Sequence, residues 1–174
     1  MEQTLRIGGI MILDLDMRSS DKKLLIESCI NFYAEKLNIK NRNFILLVKT
    51  VKNLRKDEGL NGYVGTVRKD CIIDKSKKAY AMGLESRIKT EDLVETIAHE
   101  MIHVKQKVLG QLRYEGRTTY WLGKKVICSK INYFDQPWEQ EAWSKQKLLA
   151  VQIFKILGKL EKKYVMKNYK GKKK

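Results

Sequence analysis

The sequence predicts an α+β domain: a block of short strands, then a helix, a hairpin and a last helix. Three observations carry that prediction. Apolar residues recur at helical spacing in three separate segments. Between the first two lie several short runs rich in branched and aromatic residues. These runs are grouped instead of alternating one for one with helices, which argues against a repeated βαβ pattern. At 174 residues and 43% hydrophobic, the chain suits one domain with a substantial core.

The apolar patch Ile7 to Leu13 reads as a first strand. It lacks the basic start, long apolar core and small-residue cleavage site of a signal peptide, and no apolar run reaches the roughly 18 residues that cross a bilayer. The expectation is a cytoplasmic protein with no membrane partner. Ser20 or Asp21 can cap a helix to about Leu37, with Ile26, Ile30, Tyr33 and Leu37 on one face. NFILLVKTV (Asn43 to Val51), GLNGYVGTV (Gly59 to Val67), DCIID (Asp70 to Asp74) and KAYAMGLES (Lys78 to Ser86) read as strands. From Thr90 the period becomes helical. Thr90 can cap, Glu91 and Asp92 suit the first turn, and Gly110 stops the helix after about Leu109. QLRYEG and RTTYWLGKKV then form a hairpin. Pro137 opens a final helix whose buried stripe is Leu149, Ile153, Ile156 and Leu160.

With a single proline and no Gly/Ser-rich linker, the chain divides only into a domain over residues 1–160 and a basic tail over residues 161–174. The net charge of +16 attracts polyanions, and much of it sits in KLEKKYVMKNYKGKKK, Lys159 to Lys174. Nucleic acid is therefore a candidate partner through the basic surface and lysine-rich tail. Cys29, Cys71 and Cys128 are odd in number, widely separated and without a CxxC pair, so they read as reduced, mostly buried thiols rather than a disulfide framework or a cysteine zinc site.

The chemistry concentrates in TIAHEMIH, Thr96 to His103, which holds both histidines of the chain. Residues four apart lie on one helix face, so His99 and His103 can direct their imidazoles at one metal ion. Glu100, rotated by about 100° from His99, can sit beside the metal and take a proton from an activated water. Zinc matches neutral imidazoles in a four-coordinate site with one open position. Catalytic zinc sites use three protein ligands. With no third histidine, a carboxylate must serve, and WEQEAW offers Glu139 and Glu141. Two apart, they lie about 200° apart on a helix and cannot both face the ion. Glu141 falls seven residues before Leu148, on the face read as buried, so Glu141 is the expected ligand. Glu139 is the alternative, otherwise an ordinary first-turn acid. Trp138 and Trp143, bracketing the pair, read as core anchors.

HEMIH, a hairpin and PWEQEAW together resemble the HExxH…E zinc metallopeptidases of gluzincin type, above all the short minimal-domain members of bacteria and phages. The matching residues are His99, Glu100, His103 and Gln106, then Tyr120, Trp121 and Gly123, then Glu139, Glu141 and Ala142. The resemblance runs from about Lys78 to Leu157. It extends more distantly to the basic SprT-like proteases that act on DNA-bound proteins, which take a third histidine that this chain lacks. It implies a zincin-like domain with a small mixed sheet, and hydrolysis of a protein or peptide substrate. His99, His103 and Glu141 would hold zinc, and Glu100 would act as general base and then as proton donor to the leaving amine. Tyr114, Tyr120 and Tyr133 are candidates for stabilising the polarised carbonyl. KAYAMGLES would line the cleft, its free edge pairing with an extended substrate. Gln106 would orient a ligand from one turn beyond His103. Two alternative functions are a nucleic-acid-associated protein acting on DNA-bound proteins and a phage virion or assembly component with a peptidase-like fold.

Overall fold

The structure, a computed structural model, describes residues 5–6, 11–17, 20–72 and 76–170. The expected first strand is described from Met11 onward, and Ile7 to Ile10 lie outside the described residues. The fold is α+β, with two sheets and four α-helices among the described residues.

The main sheet contains β1 (Leu5–Arg6), β2 (Met11–Asp16), β3 (Phe44–Val51), β4 (Gly62–Thr66) and β5 (Lys78–Glu85), ordered β1-β2-β3-β5-β4. The central β2, β3 and β5 are parallel, while β1 and β4 run antiparallel on the outside. Helix α1 (Ser20–Lys36) is the crossover between β2 and β3. Alternation in the three central strands aligns buried rows, such as Leu13, Leu46 and Tyr80, then Leu15, Val48 and Met82. These rows share one core with Ile26 and Ile30 of α1, Ile97 and Met101 of α3 (Thr90–Val108) and Ile153 of α4 (Pro137–Lys170). Tyr33, fully buried, donates its hydroxyl to the Val94 carbonyl at 3.2 Å and ties α1 to α3.

Three expectations change at this level. Lys78 to Ser86 is not a free edge: β5 lies between β3 and β4, because GLNGYVGTV folds back antiparallel onto it. Gly83 makes that approach feasible. Tyr63 is paired with it, and a Cβ there would lie 2.3 Å from the Tyr63 ring. The outer strand of this side is therefore β4. Asp70 to Asp74 is not a described strand; Lys69–Cys71 is a tight turn, with the Asp70 carboxylate paired to Arg68 at 2.6 Å, and Ile73 and Asp74 lie outside the described residues. Thr90 begins α3 but does not cap it, the preceding Lys89 making no capping hydrogen bond either. A short helix, α2 (Leu54–Glu58), also lies between β3 and β4. It is framed by Asn53 and Gly59, both left-handed, and fixed by the Glu85 carboxylate, which accepts the Arg55 N–H at 3.0 Å.

The expected hairpin is a three-stranded meander: β6 (Leu112–Glu115), β7 (Thr118–Trp121) and β8 (Lys124–Val126). Leu122 and Gly123, with φ of 49° and 82°, form its second two-residue turn, where positive φ at both positions suits the strand twist. Helix α4 continues unbroken to Lys170, so the backbone passes helically through the boundary at residue 160, while residues 171–174 lie outside the described ones. No described helix is long and apolar enough to cross a membrane. Cys29 is buried and its thiol is pushed up to about 12 by that burial, whereas Cys71 is exposed and Cys128 half-buried; all three are free.

Candidate metal centre

The site forms where α3 crosses the first turns of α4. Apolar side chains anchor α3 on both sides of the motif: Ile97, Ala98, Met101, Ile102 and Val104 are fully buried. Their spacing leaves His99, Glu100 and His103 on the part of the helix that faces α4 and the cleft, each more than nine-tenths buried. The two imidazole Nε2 atoms stand 3.1 Å apart.

The carboxylate that meets them is Glu139, not Glu141. Glu139 straddles the pair, with Oε2 at 3.3 Å from His99 Nε2 and Oε1 at 3.3 Å from His103 Nε2. Glu141 instead pairs with Lys105 at 2.7 Å and with Lys145, and accepts from Gln106 at 3.0 Å. Leu148, which set the expected helix phase, is 63% exposed and does not mark the buried face, and Glu141 turns to Lys105, Lys145 and Gln106 beside the histidine pair. The buried face is Glu139, Ala142, Gln146, Leu149 and Ile153. Ile156 of the expected stripe is exposed, and Leu160 lies among residues whose side chains are not described.

The group fits a small divalent cation on two counts. A tetrahedral zinc ion with ligands at about 2.0–2.1 Å spaces them roughly 3.3–3.4 Å apart; the two imidazole nitrogens are 3.1 Å apart, and each has one Glu139 oxygen at 3.3 Å, Oε2 for His99 and Oε1 for His103. Glu139 Oε2 is also buried with no hydrogen-bond partner, an expensive condition unless a positive charge answers it. His99, His103 and Glu139 are the one such ligand cluster among the described residues.

The electrostatics are those of a buried carboxylate set against imidazoles. Burial pushes the Glu139 carboxyl up, but the adjoining His103 and His99 imidazoles outweigh it and hold it at about 2. Burial lowers the His103 imidazole, yet Glu139 and Glu100 leave it raised above its ordinary value. Glu100 is raised, because desolvation exceeds the opposing pull of the two histidines.

A cleft of about 390 Å³ opens beside the cluster, lined by His99 and Glu100, by Gly59 to Gly62 leading into β4, and by Tyr133, Phe134, Trp143 and Gln146. Gly62 packs directly on α3: a Cβ there would lie 2.7 Å from Thr96 Cγ2 and 3.2 Å from Glu100 Cγ. Of the three tyrosines singled out, Tyr133 lines this cleft, and its hydroxyl is pushed up by burial and then by Glu139. Tyr114 is half exposed beneath Lys107, whose Nζ lies 4.6 Å from its ring centroid, and Tyr120 stacks with Arg113 at 5.5 Å; neither lines the cleft. Trp138 is buried against Trp121 as expected of an anchor. Trp143 is not an anchor: it is 47% exposed, with its ring 4.9 Å from that of His99. Sequence reasoning missed Glu95 and Gln146. Their signal was spacing, since Glu95 lies four residues before His99 and Gln146 seven after Glu139.

Comparison with known proteins finds no family model that matches the chain, no curated protein related to it and no solved structure similar to it.

Proposed function

We propose that the chain is a zinc-dependent peptidase that hydrolyses protein or peptide substrates at the α3–α4 cleft. The observation that carries this reading is the buried His99–His103–Glu139 cluster, its imidazole nitrogens 3.1 Å apart and each 3.3 Å from a Glu139 oxygen, bordering a cleft also lined by Glu100. These three residues would hold the ion. When bound, zinc would supply Lewis acidity toward a carbonyl and lower the pKa of a water.

The remaining chemistry belongs to the chain. Glu100, beside the ligands but not among them, accepts the proton of the attacking water and returns it to the leaving amine. Tyr133 directs a hydroxyl into the same cleft and donates to the developing oxyanion. The outer strand β4 offers backbone groups for pairing an extended peptide, and its first residue, Gly62, packs directly beside Glu100. Trp143, with its ring 4.9 Å from that of His99, and Phe134 beside it form an apolar wall of the cleft for substrate side chains.

Glu100→Gln tests the assignment. Proton transfer contributes about 10²–10⁴-fold, so cleavage of a casein or peptide-library substrate should fall by that range while the zinc content stays at the parent's level. Equal cleavage by the variant would remove Glu100 from the reaction.

The net charge of +16 favours an additional attachment to a polyanion. The cleft lining contains Asp92, Glu95 and Glu100 and no lysine or arginine, so such attachment belongs outside the cleft. Retention on immobilised DNA that drops steeply with salt supports it; retention indifferent to salt excludes it.

A further inference from the structure

Each imidazole is held from behind by a glutamine, and each glutamine by a glutamate. His99 Nδ1 lies 2.7 Å from Gln146 Oε1, and Gln146 Nε2 donates to Glu95 Oε1 at 2.6 Å. His103 Nδ1 lies 2.8 Å from Gln106 Oε1, and Gln106 Nε2 donates to the Trp138 carbonyl at 2.9 Å and to Glu141 Oε2 at 3.0 Å. Both glutamines are at least 95% buried.

A glutamine side chain presents a donor at one terminus and an acceptor at the other. Where its amide nitrogen faces a carboxylate or carbonyl, its oxygen must face the other way. The oxygen then demands a proton on the imidazole Nδ1, and a neutral imidazole so protonated keeps its lone pair on Nε2, the atom turned toward Glu139. The glutamate thus sets the histidine tautomer at one remove. The two chains differ in redundancy. Gln106 has two acceptors for its amide, one of them backbone. Gln146 has Glu95 alone, at the half-exposed rim of the cleft.

We propose that Glu95 is a positioning residue for the metal site, holding His99 in its ligating tautomer through Gln146, and that Glu141 is the weaker counterpart on His103. The inference rests on the metal-site reading above. Removing the Glu95 acceptor frees the Gln146 amide to turn, offer N–H to His99 Nδ1 and shift the imidazole proton to Nε2, where it blocks ligation. Glu95→Gln keeps a carbonyl at the same place and preserves the chain.

The test is zinc affinity, measured by competition with a chromogenic chelator on the full chain. Loss of such outer partners costs about 10–100-fold in metal affinity. Glu95→Leu should lose that much, Glu95→Gln should stay near the parent, and Glu141→Leu should lose less than Glu95→Leu. Glu95→Leu binding zinc as the parent does, or Glu95→Gln failing as badly as Glu95→Leu, overturns the proposal. Far-UV circular dichroism establishes folding; if Glu95→Leu does not fold, Gln146→Met replaces it, with the same loss expected and parental affinity overturning the idea. A parent that binds no zinc would instead overturn the metal-site reading itself.

Discussion

Gly62→Ala should destabilise the protein and disturb Glu100, the proposed general base, at once. The new Cβ would stand 2.7 Å from Thr96 Cγ2, and 3.2 and 3.3 Å from Glu100 Cγ and Oε1. Ordinary carbon contacts are about 3.5–4.0 Å, so close to 1 Å of overlap must be absorbed. Thr96 yields little, because a β-branched side chain on a helix has few rotamers to move into. Strand β4 must therefore shift away from α3. Overpacking of this kind costs about 1–3 kcal/mol. Alanine recovers roughly 0.5–1 kcal/mol of that, since glycine loses more chain entropy on folding. A net loss near 1–2 kcal/mol should lower the thermal midpoint by roughly 2–8 °C at this chain length. Urea unfolding followed by circular dichroism gives the free energy directly. The second substitution Thr96→Ser deletes the clashing methyl and should restore most of the stability on the Gly62→Ala background, while peptidase activity stays depressed because the Glu100 contact persists. A Gly62→Ala protein as stable as the parent would refute the claim that β4 and α3 are packed to contact here.

Other consequences are testable singly. Tyr133→Phe should lower peptide cleavage by about 10²-fold with zinc affinity unchanged, as loss of one oxyanion donor does, whereas Tyr120→Phe should cleave like the parent; equal behaviour of the two would remove Tyr133 from the site. Burial raises Cys29 from about 9 and Tyr80 from about 10, both to about 12. The unfolded chain therefore releases these protons first, so stability is full below about pH 9 and declines as pH rises toward 12. Cys29→Ala should make that decline shallower in thermal melts between about pH 9 and 11, and an unchanged slope would show that the thiol is not protected.

Much of this architecture was legible because the relevant signals are local. Helical periodicity gave α1 its buried face through Ile26, Ile30 and Tyr33, and α3 its bounds to within a residue. Strand pairing was not legible. Nothing in KAYAMGLES tells whether its edge is free; that depends on Tyr63 lying across Gly83 from a segment some twenty residues earlier in the chain. At the site, the HExxH spacing brought His99, Glu100 and His103 together, since one helix fixes their relations. The third side chain comes from another helix, whose phase depends on which residues are buried. Taking Leu148 for a core residue turned α4 enough to select Glu141 over Glu139. Glu141 is nevertheless tied to His103 through Gln106. Glu95 and Gln146 escaped notice because outer partners carry no motif and are found only by following hydrogen bonds.

Whether His99, His103 and Glu139 hold one zinc ion is decided by paired alanine variants of the two glutamates. Zinc stoichiometry and affinity would be measured on the parent, Glu139→Ala and Glu141→Ala. The expected outcome is one tightly held zinc per chain in the parent, loss of tight binding in Glu139→Ala, and retention in Glu141→Ala. A Glu139→Ala protein that keeps the parent's zinc, or a parent that takes up none, would contradict it.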